Sequence, residues 1–214
     1  MTRFAFDNSA VYRRWFDDFD KYTTADWTLT TVETGTGNAS EAVGKLDGGV
    51  LVVTNDDADD DSDFFQWARE TFKFDSSKRL YGKIRCKLSD ATQSDFIFGL
   101  CITDTTPLDA SDGIFFKKDD GDAYLDFRVV KNSTATNKAA VATLADDTYF
   151  TAAFYYDPGD DKFFLYVDDV LVGAVALDAN APDDEELTIT FGVQNGSAGA
   201  KVLSVDYIEI VKER

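Results

Sequence analysis

Leu80-Tyr81-Gly82-Lys83-Ile84-Arg85-Cys86-Lys87-Leu88 is the stretch on which the fold turns. Gly82, Ile84, Cys86 and Leu88 share one side of an extended chain, and Lys83, Arg85 and Lys87 share the other. A period of two belongs to a strand and the basic side belongs to water, so residues 80–88 predict an antiparallel strand with one covered face. Outward from it the pattern repeats in variants. Phe96-Ile97-Phe98-Gly99-Leu100-Cys101-Ile102 is apolar on both sides and Gly113 to Lys118 comes next. The tetrad Asp119-Asp120-Gly121-Asp122 then turns the chain into Tyr124 to Val130, a hairpin signal. Thr148 to Tyr156, the turn Asp157-Pro158-Gly159-Asp160-Asp161 and Lys162 to Val167 predict a second hairpin, and Asp168-Asp169 leads tightly into Val170 to Leu177. Glu186 to Val193 and Val202 to Lys212, separated by a turn at Asn195-Gly196, read as strands too. Upstream, short strands are predicted at Phe16 to Asp20, Asp26 to Thr30, Gly48 to Thr54 and Phe64 to Phe72, with a Gly-rich loop at Gly35 to Asn38 and an acidic loop at Asn55 to Asp63. No apolar spacing of helical period and no internal repeat interrupts the series. About a dozen short strands with turn residues between them is the pattern of a sandwich or barrel.

The composition agrees. At 214 residues, 44% hydrophobic and 14% aromatic, the chain suits one all-β domain with a wide aromatic core. Of the 40 acidic residues only seven are Glu, and Asp is the acid of turns rather than of helices. A net charge of −19 repels phosphate backbones and anionic membranes, so neither nucleic acid nor membrane is an expected partner. Histidine is absent, which removes His-based triads and His-metal sites. Cys86 and Cys101 lie in apolar strands and read as core thiols, with one disulfide between neighbouring strands as the alternative. The start, Met1-Thr2-Arg3-Phe4, has no apolar run of a classical export signal, and the expectation is a chain made as a soluble protein.

Three places could carry specificity. Arg3, Phe4, Phe6, Tyr12, Arg13, Arg14 and Trp15 form a basic-aromatic cluster on an acidic chain, either an arm over residues 1–15 that grips a partner or an edge strand of the domain at 16–214. Asp57, Asp59, Asp61 and Asp63 alternate along one loop as hard oxygen ligands for Ca²⁺ would; no other cofactor is indicated. The EF-hand spacing fails at Ser62 and Ala68, and a solvated acidic loop accounts for the same run. Trp67, Tyr155 and Tyr156 stand near acidic loops, where a sugar-stacking ring would be wanted, or else in the core.

Four stretches in order resemble the concanavalin A-like lectin/glucanase superfamily. They are Phe16-Asp17-Asp18-Phe19 followed by Trp27; residues 80–88; Tyr149 to Val172, whose end resembles that family's V-D-G-x-L-V turn with Asp169 in the Gly place; and Phe191-Gly192-Val193-Gln194-Asn195 with Val205-Asp206-Tyr207-Ile208. The resemblance spans Phe16 to Val211 and implies a two-sheet antiparallel jelly-roll sandwich with a short N-terminal arm. It leaves function open among lectins, hydrolases and structural modules. Retaining glucanases of this fold carry Glu-x-Asp-x-x-Glu on one strand, a pattern missing here; in Asp206-Tyr207-Ile208-Glu209 the acids are three apart and are expected on opposite faces. The acidic Asp/Thr/Gly-rich loops and the aromatic N-terminal stretch resemble tailed-bacteriophage virion proteins. The leading expectation is therefore a non-enzymatic capsid decoration (cement) protein of a virion, made in the host cytoplasm and anchored on the major capsid protein or another virion protein through residues 1–15. The alternative is a carbohydrate-binding, lectin-like module of a fibre with a glycan partner; the third reading is a β-glucan hydrolase. Self-association into a homo-oligomer is left open.

Overall fold

In the computed structural model, which describes residues 10–214, the alternating stretch is the strand β7 (Leu80–Leu88), with its even-numbered residues buried and its odd-numbered ones half-buried. It lies at the centre of a first sheet. Chain order gives this sheet β1 (Tyr12–Asp17), β3 (Ser40–Val43), β4 (Leu51–Thr54), β7, β12 (Phe150–Asp157), β13 (Lys162–Val167), β14 (Val170–Ala176) and β16 (Val202–Glu213). The second sheet takes β2 (Trp27–Val32), β5 (Ser62–Trp67), β6 (Phe72–Lys73), β8 (Ser94–Cys101), β9 (Gly113–Lys118), β10 (Tyr124–Lys131), β11 (Thr134–Thr143) and β15 (Glu186–Asn195). Spatially the first runs β14-β13-β12-β7-β16-β4-β3 with β1 also on β16, and the second runs β11-β10-β9-β8-β15-β5-β2 with β6 also on β15. Every pairing among the described residues is antiparallel, and the two layers form a jelly-roll sandwich as expected.

The aromatic surplus fills the space between the layers. Phe65 and Phe191, both fully buried, stack at 4.8 Å with their planes 2° apart, and Trp27 meets Phe191 edge-on at 5.1 Å. Further along, Phe127 packs on Phe154 and Phe163 at 5.8 and 5.9 Å. Such pairs add about 0.5–1.5 kcal/mol each beyond the area they bury. Both predicted hairpins form. In the β13–β14 turn Asp168 and Asp169 have φ of 49° and 62°, the left-handed conformation that a two-residue turn of this hand requires. Asp is among the non-glycine residues that enter this region most readily, and here both side chains are held by neighbouring strands: Asp168 accepts the Thr151 N–H at 2.8 Å and Asp169 pairs with Lys83 at 2.9 Å.

Several expectations need correction. The described residues form 16 strands, and those missed are short or edge strands with little apolar signal: β3, β6 and the largely exposed β11. Asp206 and Glu209 do not face opposite ways. The register between β16 and β7 shifts between Val205 and Tyr207, so an extra residue is inserted and both carboxylates emerge on the solvent face, Asp206 on Arg85 and Glu209 on Arg14. The disulfide alternative is closed, since both cysteines are free. Cys86 sits in the main core and Cys101 in a small cluster on the far side of the second sheet, and burial raises both thiols above their ordinary range.

Candidate functional site

On the far side of the second sheet, the face turned away from the main core carries Phe64, Ile97, Cys101, Phe115 and Val130, an apolar patch that a solvent face could not keep. The segment 102–112 folds over it and seats Ala110 and Leu108 on the patch. Gln66, fully buried, pins this segment at both ends of its amide: Nε2 donates to the Ile102 carbonyl at 2.9 Å, and Oε1 accepts the Asp104 N–H at 2.9 Å. Such a doubly satisfied buried amide fixes a loop more firmly than its exposed backbone could. The segment leaves a recess of about 380 Å³ on one side and one of about 160 Å³ on the other, with Leu108 and Asp109 in the wall of both. The larger recess is lined by Thr30, Val32, Asp60, Ser62, Phe64, Thr105, Thr106, Leu108, Asp109 and Gln194. It therefore offers hydroxyls, one carboxamide and two carboxylates around an apolar floor, and among the described residues no cationic side chain lines it. Asp60 accepts from the Gln194 amide at 3.0 Å, and Asp109 pairs with Lys117 at 3.7 Å.

A second constellation lies at the rim where β2 and β3, the edge strands of the two sheets, come together. Glu33 directly follows β2, Glu41 sits on β3 and Asp63 on β5, and one carboxylate oxygen from each lies within 4.8 Å of the others. Among the described residues no other such group of acidic or thiol ligands occurs. Glu33 is exposed, Glu41 half-buried and Asp63 fully buried. Neither Asp63 oxygen has a hydrogen-bond partner among the described residues. Burial, followed by the charges of Glu41, Glu33 and Asp61, pushes the Asp63 carboxyl up to about 7. Burial and then Glu33 raise Glu41, and burial followed by Glu41 and Asp63 raises the neighbouring Tyr22 hydroxyl.

The acidic quartet read from the sequence divides. Asp57 accepts the Thr36 N–H at 2.8 Å, and Asp59 is exposed. Asp61, fully buried, accepts the Thr34 N–H and hydroxyl at 2.7 and 2.8 Å, the Ala58 N–H at 2.8 Å and the Gly35 N–H at 3.2 Å. It organises two loops. A side chain at position 35 would collide with this arrangement, for a Cβ there would lie 2.2 Å from the Asp57 carboxylate. Only Asp63 of the quartet joins a ligand cluster, and its companions Glu33 and Glu41 were not anticipated. Their one sequence signal is scarcity: two of seven Glu flank the Gly-rich loop.

Of the N-terminal cluster, Arg3, Phe4 and Phe6 lie outside the described residues. Tyr12, Arg13, Arg14 and Trp15 belong to β1, which runs along β16 from Glu213 to Ile208. Trp15 packs edge-on against Trp67 at 5.3 Å and Trp27 at 5.9 Å. Arg13 donates to the Thr71 carbonyl at 2.9 Å and lies over Phe72, while Arg14 binds Glu209 at 2.6 Å. The rings considered for sugar stacking are engaged elsewhere: Trp67 with Trp15 and Trp27, Tyr156 deep in the core, and Tyr155 buried with its hydroxyl accepting from Arg79 Nε at 3.1 Å.

No protein-family model matches the chain, and no curated protein is similar to it. Solved structures share its architecture. An endo-1,3-β-glucanase from Streptomyces sioyaensis is similar at 16% identity over 96% of this chain and 98% of its own, with a TM-score of 0.65. The Bacteroides ovatus mixed-linkage-glucan GH16 protein is similar at 15% identity over 92% and 99%, with a TM-score of 0.66. The Emp46p carbohydrate recognition domain is similar at 13% identity over 87% and 88%, with a TM-score of 0.57. The chain thus has the concanavalin A-like jelly-roll fold. These neighbours overturn the expectation of a non-enzymatic virion decoration protein: over nearly the whole chain the architecture is shared with proteins named as glucanases and as a carbohydrate recognition domain. The physical reason for the error is plain. Acidity and Asp-rich loops are surface traits that any jelly roll can carry, and they specify no partner.

Proposed function

We propose that this chain is a β-glucan-directed protein that holds a neutral glycan in the recess between β2, β5, β15 and the segment 102–112. The observation that carries this reading is the lining of that recess. Thr30, Thr106 and Gln194 can hydrogen-bond sugar hydroxyls, Leu108 and Val32 can meet the apolar face of a ring, and the two carboxylates repel sulfated or phosphorylated ligands. The glucanase and carbohydrate-recognition names of the structural neighbours support the choice of ligand class. Calorimetric titration with laminarin and mixed-linkage β-glucan oligosaccharides tests it. Binding is expected to weaken about tenfold in Gln194→Ala, the equivalent of roughly 1.4 kcal/mol, one lost hydrogen bond at a polar site. No binding to either glucan, or affinity unchanged in Gln194→Ala and Thr106→Ala alike, would reject the recess.

Cleavage of the bound glucan is the second reading, favoured by the glucanase names. Glycosidases need two carboxyl groups flanking the scissile bond, and Asp60 and Asp109 are the two that line the recess. Release of reducing ends from laminarin, abolished in both Asp60→Asn and Asp109→Asn, would support it; a rate unaffected by either substitution would remove these residues from the chemistry.

A further inference from the structure

We propose that Glu33, Glu41 and Asp63 form a binding site for one Ca²⁺ ion that fastens the β2–β3 rim of the sandwich. The inference is independent of glycan binding, since the rim cluster shares no side chain with the recess.

The argument begins from Asp63. A carboxylate with no exposed surface and no hydrogen-bond partner on either oxygen among the described residues is costly to bury, and proteins keep such a group when it is protonated, when an ordered water reaches it or when a cation satisfies it. Two further carboxylates point at the same spot, so that one oxygen from each of three side chains converges within 4.8 Å. Protonation of Asp63 alone leaves the carboxylates of Glu33 and Glu41 facing each other within 4.8 Å at the rim. A divalent cation removes both problems at once.

The donor set selects the class of ion. Calcium takes oxygen ligands at about 2.3–2.6 Å in flexible geometry, so three carboxylate oxygens within 4.8 Å of one another can share one ion. Magnesium, with ligands at about 2.0–2.1 Å, demands a tighter octahedron. All three side chains offer carboxylate oxygen and none offers nitrogen or sulfur, the donor set of a hard cation.

The position gives the ion a purpose. Glu41 belongs to the first sheet, whereas Asp63 lies in the second and Glu33 follows its edge strand β2, so the ion bridges the layers at an open side. At the opposite side, where β11 and β14 are the edge strands, hydrogen bonds tie Thr136 of β11 to Asp178 and to Asn180 just beyond β14, the latter at 2.8 Å.

Calorimetric titration of the metal-stripped protein with CaCl₂ at pH 7.5, together with thermal melts in CaCl₂ and in EDTA, tests the proposal. One equivalent of Ca²⁺ should bind and raise the melting temperature by roughly 5 °C when present at a hundredfold excess over its dissociation constant. MgCl₂ should give a smaller rise. Glu33→Gln, at an exposed position that does not threaten the fold, should weaken Ca²⁺ binding about tenfold, and Asp63→Asn should abolish it while the circular dichroism spectrum stays that of a β protein. The double variant Asp57→Asn with Asp59→Asn should bind Ca²⁺ as the parent does. Absence of Ca²⁺ binding in the parent, unchanged affinity in Glu33→Gln, or loss of affinity in the Asp57/Asp59 double variant would each overturn it.

Discussion

Asp61 and Asp63 stand two residues apart at the start of β5, both without exposed surface, and their surroundings treat them in opposite ways. Burial would raise Asp61, yet the N–H groups of Thr34, Ala58 and Gly35 and the Thr34 hydroxyl together outweigh it and hold the carboxyl below its ordinary value. Asp63 meets burial with no donor among the described residues and three like charges, and rises to about 7. The loop around Asp61 is complete as it stands, whereas the rim around Asp63 is complete only with a proton, an ordered water or a cation. Burial alone therefore says nothing about a carboxylate's role; the count of donors aimed at it does.

The largest effect that could break this comparison is expected at Asp61. Asp61→Ala strands the Thr34, Gly35 and Ala58 N–H groups and should destabilise the fold by about 4 kcal/mol, read by urea denaturation at pH 7. Its stabilising contribution in the parent is present above the unfolded pKa and is lost as pH falls through the lowered folded pKa, so this loss belongs to the acid limb of the stability curve. A variant within 1 kcal/mol of the parent would mean that the loop finds other partners. Next in size is the opposite behaviour at Asp63. A carboxyl whose folded pKa is raised favours the folded state at low pH, and that advantage disappears as pH climbs from about 4 through about 7. In EDTA at pH 8, Asp63→Asn should consequently be more stable than the parent by roughly 3 kcal/mol, with the difference vanishing near pH 4. A pH-independent difference would show that Asp63 is not the titrating group.

Much of the fold was legible because it rests on local signals. The alternation of residues 80–88 and the hairpin at 119–122 each involve neighbours in sequence, and both formed as read. What escaped depends on distant pairing. Strand β11 is exposed over most of its length and is held by β10, so its own residues carry no periodic mark. The bulge at Asp206 exists only in register with β7, and it reverses the face expected for that carboxylate. The candidate sites were almost wholly hidden for the same reason. Gln66, whose amide builds the recess wall, looks like any strand residue, and the rim cluster gathers positions 33, 41 and 63 from two sheets. The run Asp57 to Asp63 stands out in the sequence by density of charge, whereas the structure distributes that charge among a turn, a loop anchor and a rim.

The finest test grades the rim itself. Glu41 contributes more than Glu33 to raising Asp63, and it is half-buried where Glu33 is exposed, so water screens the Glu33 charge more strongly. In metal-free protein, Glu33→Gln should therefore lower the Asp63 midpoint by only about half a pH unit and Glu41→Gln by about one, followed through the side-chain carboxyl carbon resonance of Asp63. Equal shifts in the two variants would mean that Glu33 is as desolvated as Glu41, and the rim would then be a closed pocket rather than an edge open to solvent. A midpoint that stays near 7 in both would assign the elevation to burial alone, leaving the three carboxylates as neighbours without electrostatic coupling.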